Sequence, residues 1–378
     1  MNKEELRSNF PFLRTGKVYL NHAATSPMSR RVIEKVEEHV RLSSETDIDN
    51  YEFFMNQVSG AREKTGRLIG CPPERIAFTD NTSTGLNILA QGMDWKPGDR
   101  IILNDLEFPS NVYAFLNLKK YGVETDFVKS ANGIVSTEDI ISTVTPRTKL
   151  ISVSYVQFLT GYRIDLNMLG EFCRANGIIL AVDAIQGLGA LKLDAEKTNI
   201  DFISCGTQKW LMGLKGFSFI YLSGELQERI QPAYVGWLSV ENAWDLLNYD
   251  MKLKQDASVF EGGTMNIIGA AAFGGALDLF YEFGLEKTED EVLANSIYLR
   301  ERLNEIGIKT IGDGWNRGNM SGIITFPHPK AKEIFGALQE REIIVSLREG
   351  MIRVSPHFYN TFEEIDGFIS TLCEIVAI

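Results

Sequence analysis

Lys209 ends the run FISCGTQK and is followed at once by Trp210, Leu211 and Met212. A lysine amine in apolar surroundings has a depressed pKa and becomes a nucleophile toward carbonyl carbons. Asp183 closes the run IILAVD. A carboxylate at the end of an apolar strand must be solvated or paired, and a buried cation such as a protonated pyridine nitrogen would pair it. Asn81-Thr82-Ser83-Thr84-Gly85 lies between a strand signal and a helix signal. Its hydroxyls and the helix N-terminal N–H groups make a phosphate cradle. Phe108, just beyond IILNDLE, is placed to stack on a flat heteroaromatic ring.

Each feature alone has a plainer reading. The lysine could snorkel to solvent, the carboxylate and the Thr/Ser turn could cap helices, and the phenylalanine could be core. Together they are the parts of a site for pyridoxal 5′-phosphate (PLP): an amine, an acid for the ring nitrogen, a phosphate cup and an aromatic stack. The acid keeps the ring nitrogen protonated, so that the ring can accept electrons from a carbanion at a substrate's α-carbon.

The elements that must position these residues alternate. Apolar, β-branched runs at Arg75–Asn81, Arg100–Glu107, Glu124–Ser130, Lys149–Gln157, Ile178–Ile185, Phe202–Thr207 and Phe217–Leu222 each precede a segment with helical spacing. Nearly continuous apolar runs such as LISVSYV suit a sheet covered on both faces, so the spacing predicts an α/β domain with a mainly parallel, seven-stranded sheet. In such sheets ligands bind at the carboxyl ends of strands, where the polar residues collect. Ser110 is expected to cap the helix through Tyr113 and Leu116, and Asn176-Gly177 to close the helix from Met168 to Ala175. After about residue 265 the pattern becomes α+β. Helices are expected at 267–283, 291–306 and 331–340, and strands around Lys309, at 322–326, 343–347 and 351–355. A Thr361/Glu364 capping box opens the last helix. The expected division is an N-terminal segment (1–20) packing with the small domain, a large domain (21–266) and a small C-terminal α+β domain (267–378).

The 378 residues carry a formal net charge of -12, which offers no basic surface for nucleic acid. Cys71, Cys173, Cys205 and Cys373, and the four histidines, are scattered without metal-ligand spacing. No apolar leader or membrane-length run is visible, so the expectation is a soluble, cytoplasmic protein that binds no metal and no membrane.

VDAIQ (Val182 to Gln186) followed by GTQKW resembles the fold-type I, class V aminotransferase superfamily of PLP enzymes. So do YLNHAATSP (Tyr19 to Pro27), FEGGTMN (Phe260 to Asn266) and IRVSPHFYNTFEEID (Ile352 to Asp366). The branch it is most similar to holds isopenicillin N epimerase-like and cysteine desulfurase-like proteins, with a kynureninase-like touch in EFPSNVY. The resemblance implies that Lys209 is the Schiff-base lysine, Asp183 the pyridinium partner and Gln186 the donor to the ring oxygen. It implies Thr82 and Ser83 as phosphate ligands, joined by Thr207. It makes Thr264 a phosphate contact donated across a homodimer interface, and Arg353 the grip on the substrate's α-carboxylate. His22, Ala23, Trp237 and His357 are candidate walls of the substrate pocket.

The departures from the family pattern are equally specific. Gln208 stands where many relatives place His, and Phe108 where desulfurases stack His. A neutral amide cannot shuttle protons, so base work falls to Lys209. Gln157-Phe158 replaces a Ser-Asn-like pair near the ring oxygen. Desulfurases carry a persulfide-forming Cys just before the carboxylate-binding arginine, whereas VSLREGMIRVS here is short and has none. The reading is therefore a PLP enzyme acting at Cα or Cβ of a small amino acid. Aminotransferase stands first, with C–S lyase or epimerase as alternatives. A non-catalytic module and a nicotinamide oxidoreductase are distant options. The last would need more than GLGALK, which lacks the third glycine of its fingerprint.

Overall fold

The computed structural model describes residues 1–376. Its strands are β1 (Val18–Tyr19), β2 (Ile76–Thr79), β3 (Arg100–Asn104), β4 (Glu124–Val128), β5 (Thr148–Ser154), β6 (Ile179–Asp183), β7 (Phe202–Gly206), β8 (Ser218–Leu222), β9 (Ile324–Pro327), β10 (Ile343–Ile344), β11 (Ser346–Arg348) and β12 (Met351–Val354). Its helices are α1 (Lys3–Ser8), α2 (Arg30–Glu45), α3 (Tyr51–Ile69), α4 (Thr82–Gly92), α5 (Ser110–Leu116), α6 (Thr137–Ser142), α7 (Leu166–Asn176), α8 (Gly224–Gln227), α9 (Ile267–Phe283), α10 (Leu285–Glu305), α11 (Ala331–Glu340) and α12 (Phe362–Val376).

All seven strands expected for the central sheet form, in the order β2-β8-β7-β6-β5-β3-β4. β8 alone runs opposite to the other six strands. Strands β6, β7 and β8 are buried along their whole length, which is why their sequences read as unbroken apolar runs. Helix α7 starts where Asp165 accepts from the Asn167 and Met168 N–H groups, and stops at Gly177, whose φ of 64° suits glycine.

Helix α9 is apolar on nearly every face because it lies between layers. Ala270, Phe273, Ala276 and Phe280 are buried in the main core, and α9 packs on α2 and α3. At Gly275 a Cβ would come within 2.8 Å of the Arg31 carbonyl of α2, so only glycine permits this approach. Among the described residues no single helix is long and apolar enough to cross a membrane.

The C-terminal part has its own core of Leu299, Ile324, Phe326, Ile334, Ile352, Val354 and Phe368, which also takes in Leu20. Strand β1 pairs in parallel with β10, and β11-β12-β9 form an antiparallel sheet. The Thr361/Glu364 capping box is present, each backbone N–H meeting the other's side chain. No strand forms around Lys309. Gly307 takes φ 78°, and only the Ile311 N–H reaches β9, at Thr325.

Candidate active site

The carboxyl ends of β2, β3, β5, β6 and β7 converge, and the candidate residues sit on the turns that leave them. Lys209 follows β7 by three residues and is largely buried. Burial lowers its pKa from 10.5 to about 8. Asp183 opposes the shift, while the positive charges of Arg353 and Arg348 add to it. Its Nζ lies 5.7 Å from the centre of the Phe108 ring, which is 44% exposed and so has a face free for a flat ligand. Met212, buried at φ 57°, and the Met212 N–H bond to the Lys209 carbonyl hold the lysine turn tight.

Asp183 is 2% exposed, and burial pushes its carboxyl up to about 6. Oδ1 accepts from the Ile185 N–H at 3.0 Å. No donor among the described residues meets Oδ2, which leaves an acceptor for a protonated ring nitrogen. Gln186 donates to the Ala23 carbonyl at 3.0 Å and accepts from Trp210 Nε1 at 2.9 Å. One N–H of its amide remains for a ligand.

The candidate phosphate cup lies at the N-terminus of α4. Asn81 caps the helix by accepting from the Thr84 N–H at 2.9 Å. Thr82 Oγ1 accepts from the Gly206 N–H at 3.0 Å, and Ser83 and Ser110 join hydroxyls at 2.8 Å. A Cβ at Gly206 would lie 2.7 Å from Gln208 Oε1 and 3.3 Å from Thr82 Oγ1, so the missing side chain keeps the cup open. Gln208 thus borders the candidate cup, and its carbonyl anchors the N-terminal loop through the Ser26 N–H.

Several expectations need correction. Thr207 is fully buried, and its hydroxyl faces the Leu214 and Phe217 carbonyls, so it braces the lysine turn instead of serving the cup. Ser110 is the first residue of α5, not its cap. Its hydroxyl serves Ser83. His22 and His357 are fully buried. His22 is held between the Ser355 carbonyl and the Tyr359 hydroxyl, His357 donates from Nε2 to the Trp210 carbonyl while its Nδ1 accepts from the Phe358 N–H, and burial lowers both pKa values, His22 to about 3. Neither faces a substrate. Ala23 is buried beside Gln186, and Trp237 packs edge-on against Trp244 in an exposed segment. Thr264 is exposed on the turn before α9.

Arg353 is 2% exposed, donates from Nη1 to the Phe158 carbonyl at 2.6 Å, and has no partner at Nε. The β11–β12 register pairs Ser346 with Arg353 and Arg348 with Met351. Side chains alternate along a strand, so Arg348 and Arg353 project from one face. Arg348 was not singled out from sequence, although its spacing to Arg353 across a Glu-Gly turn carries that signal. Glu349 and Gly350 take φ 47° and 74°, the two-residue turn that makes this hairpin short. No cysteine lies on it, and Cys205 is fully buried with its thiol pKa well raised by burial. Glu107, buried beside Phe108, was also missed.

The family model for aminotransferase class-V matches residues 18–368. The chain is similar to a probable cysteine desulfurase of Methanothermobacter thermautotrophicus, at 28% identity over 99% of this chain and 98% of that protein. It is similar to the uncharacterized aminotransferase YcbU of Bacillus subtilis, at 26% identity over 96% and 95%. Among solved structures it is similar to the apo cysteine desulfurase of Thermococcus onnurineus, with a TM-score of 0.89 and 25% identity over 99% and 98% of the two chains.

Proposed function

Because the chain belongs to the class V aminotransferases, which are PLP-dependent enzymes of fold type I, we propose that it is a lyase breaking the Cβ–S bond of a small amino acid. The β11–β12 hairpin carries this reading. It presents two guanidinium groups on one face, neither paired with a carboxylate among the described residues, and it has no cysteine to take up sulfur. A buried, unpaired guanidinium is costly unless an anion arrives, and Arg353 suits a substrate α-carboxylate. Arg348, further out on the same face, suits a second carboxylate at the far end of the substrate. A disulfide-linked amino acid such as cystine has both.

When bound, PLP supplies an electron-accepting ring that stabilises charge at the substrate's α-carbon. The chain's residues do the rest. Asp183 Oδ2 would hold the proton on the ring nitrogen, Gln186 keeps an N–H that would serve the ring oxygen, and Thr82, Ser83 and Gln208 would hold the phosphate at the α4 N-terminus. Phe108, half exposed beside Lys209, would cover the ring. Lys209 Nζ would take the α-proton in its unprotonated form, a share that burial enlarges by lowering its pKa from 10.5 to about 8. Gln208 and Phe108 have no proton to move, and His22 and His357 are sealed in the core. With no cysteine on the β11–β12 hairpin and Cys205 fully buried, sulfur would leave on the substrate fragment.

Thr264, exposed before α9, supports a homodimer in which it reaches the other copy's phosphate. Transamination, ranked first from sequence, uses the same proton step and differs in needing a keto-acid acceptor. Incubation with cystine and no added keto acid separates the two. A 2-keto acid and ammonia in equal amounts are expected. Turnover that appears only with a keto acid present would establish transfer instead.

A further inference from the structure

Glu107 is 7% exposed just beyond the end of β3, and no lysine, arginine or histidine pairs with it among the described residues. Its Oε1 accepts from Asn104 Nδ2 at 2.6 Å, the Ser154 N–H at 2.8 Å and Gln157 Nε2 at 3.1 Å. Its Oε2 accepts from Asn111 Nδ2 at 3.0 Å and from the Ser154 hydroxyl. The other ends of two amides fix their sense. Asn104 Oδ1 takes the Leu106 N–H at 3.1 Å, and Asn111 Oδ1 takes the Ser152 hydroxyl at 2.6 Å. Every neighbour therefore presents a donor. A buried anion without a cation is a poor source of stability, so its placement has another reason.

That reason lies in what it ties together. Phe108 is half exposed, and its aromatic neighbour Phe158 meets it edge-on at 5.3 Å. A ring with so little packing is placed by its backbone, and Glu107 fastens that backbone to the end of β5 and the first turn of α5. The same carboxylate holds Gln157, which precedes Phe158, and the Phe158 carbonyl accepts from Arg353. We infer that Glu107 is a positioning residue that sets Phe108 against the cofactor ring and, through Gln157 and Phe158, sets Arg353, as one hydrogen-bonded unit.

This rests on the PLP site and holds for elimination or transfer alike. The test is PLP affinity, measured by titrating apoprotein, with the visible circular dichroism of the bound cofactor beside it. Glu107→Gln places an amide N–H among donors and should weaken PLP about tenfold, as should Phe108→Ala. The double variant should bind no more weakly than Phe108→Ala alone, because the ring that Glu107 positions is then gone. The dichroism band should shrink in Glu107→Gln. Losses that add in the double variant, or an unchanged affinity and band in Glu107→Gln, would overturn the assignment. Should that variant fail to fold, Ser154→Ala removes one donor to Glu107. Its smaller loss should vanish in the Phe108→Ala background, and a loss that persists there would equally overturn it.

Discussion

Lys209 Nζ faces the Phe108 ring at 5.7 Å, with Asp183 as the opposing charge and Arg353 and Arg348 beyond. Burial outweighs the attraction of Asp183, so the folded chain holds this amine below its ordinary pKa, at about 8.

The apoprotein therefore carries the cost of a buried ammonium at neutral pH. The pKa falls from 10.5 unfolded to about 8 folded, so the cost is full below about 8 and gone above 10.5. Apo Lys209→Met should melt higher than the apo parent at pH 7, with a gain of up to about 3 kcal/mol. The gain should shrink as pH rises toward 10. Paired thermal melts at the two pH values check this, and a variant that melts lower at pH 7 contradicts it.

Asp183 is displaced the other way, up to about 6 by burial. Ionising it costs stability as pH rises from its unfolded 3.8 through about 6, so at pH 7.5 the apoprotein bears that cost in full. Asp183→Asn apoprotein should melt no lower than the parent at that pH, yet turnover with PLP should fall about 100-fold or more. Activity within a few-fold of the parent would show that the ring nitrogen finds its anion elsewhere.

How much of this was legible in the sequence depended on whether period or direction was at issue. Unbroken apolar runs such as Ile178–Asp183 and Phe202–Gly206 marked the strands because these are buried on both faces. The strand ends then marked Asp183 and Lys209. Side-chain direction on turns follows no period. Ser110 looked like a cap because it precedes a helix, while its hydroxyl partner, Ser83, lies 27 residues away. Thr207 looked like a cup hydroxyl because of its nearness to Lys209, whereas the turn aims it at the Leu214 and Phe217 carbonyls. His22 and His357 looked available, and the packing of Tyr359 and Trp210 buries both.

The inward aim of Thr207 has a direct consequence. Thr207→Val should leave PLP affinity within about twofold while lowering stability by about 1 kcal/mol, the net value of one buried hydrogen bond. Titration of apoprotein and denaturant unfolding report the two quantities separately. A large loss of affinity would return Thr207 to the phosphate cup.

Thiol chemistry should be dispensable. Cys173 and Cys205 are buried with pKa values raised by burial, Cys71 is raised to about 12, and Cys373 is exposed on α12. Alkylation of the native protein at neutral pH should label Cys373 first and leave turnover unchanged. Inactivation in step with labelling would point to a sulfur-carrying cysteine.

The two arginines of the β11–β12 hairpin carry the proposed specificity, and one comparison tests them directly. The specificity constant kcat/KM is measured for cystine and for S-methylcysteine, with the parent and Arg348→Ala. Loss of one charge-assisted contact should lower the cystine value about tenfold or more and leave S-methylcysteine, which lacks the second carboxylate, within about twofold. Equal losses on both substrates, or elimination from neither, would contradict the assignment of this protein as a Cβ–S lyase for two-ended substrates.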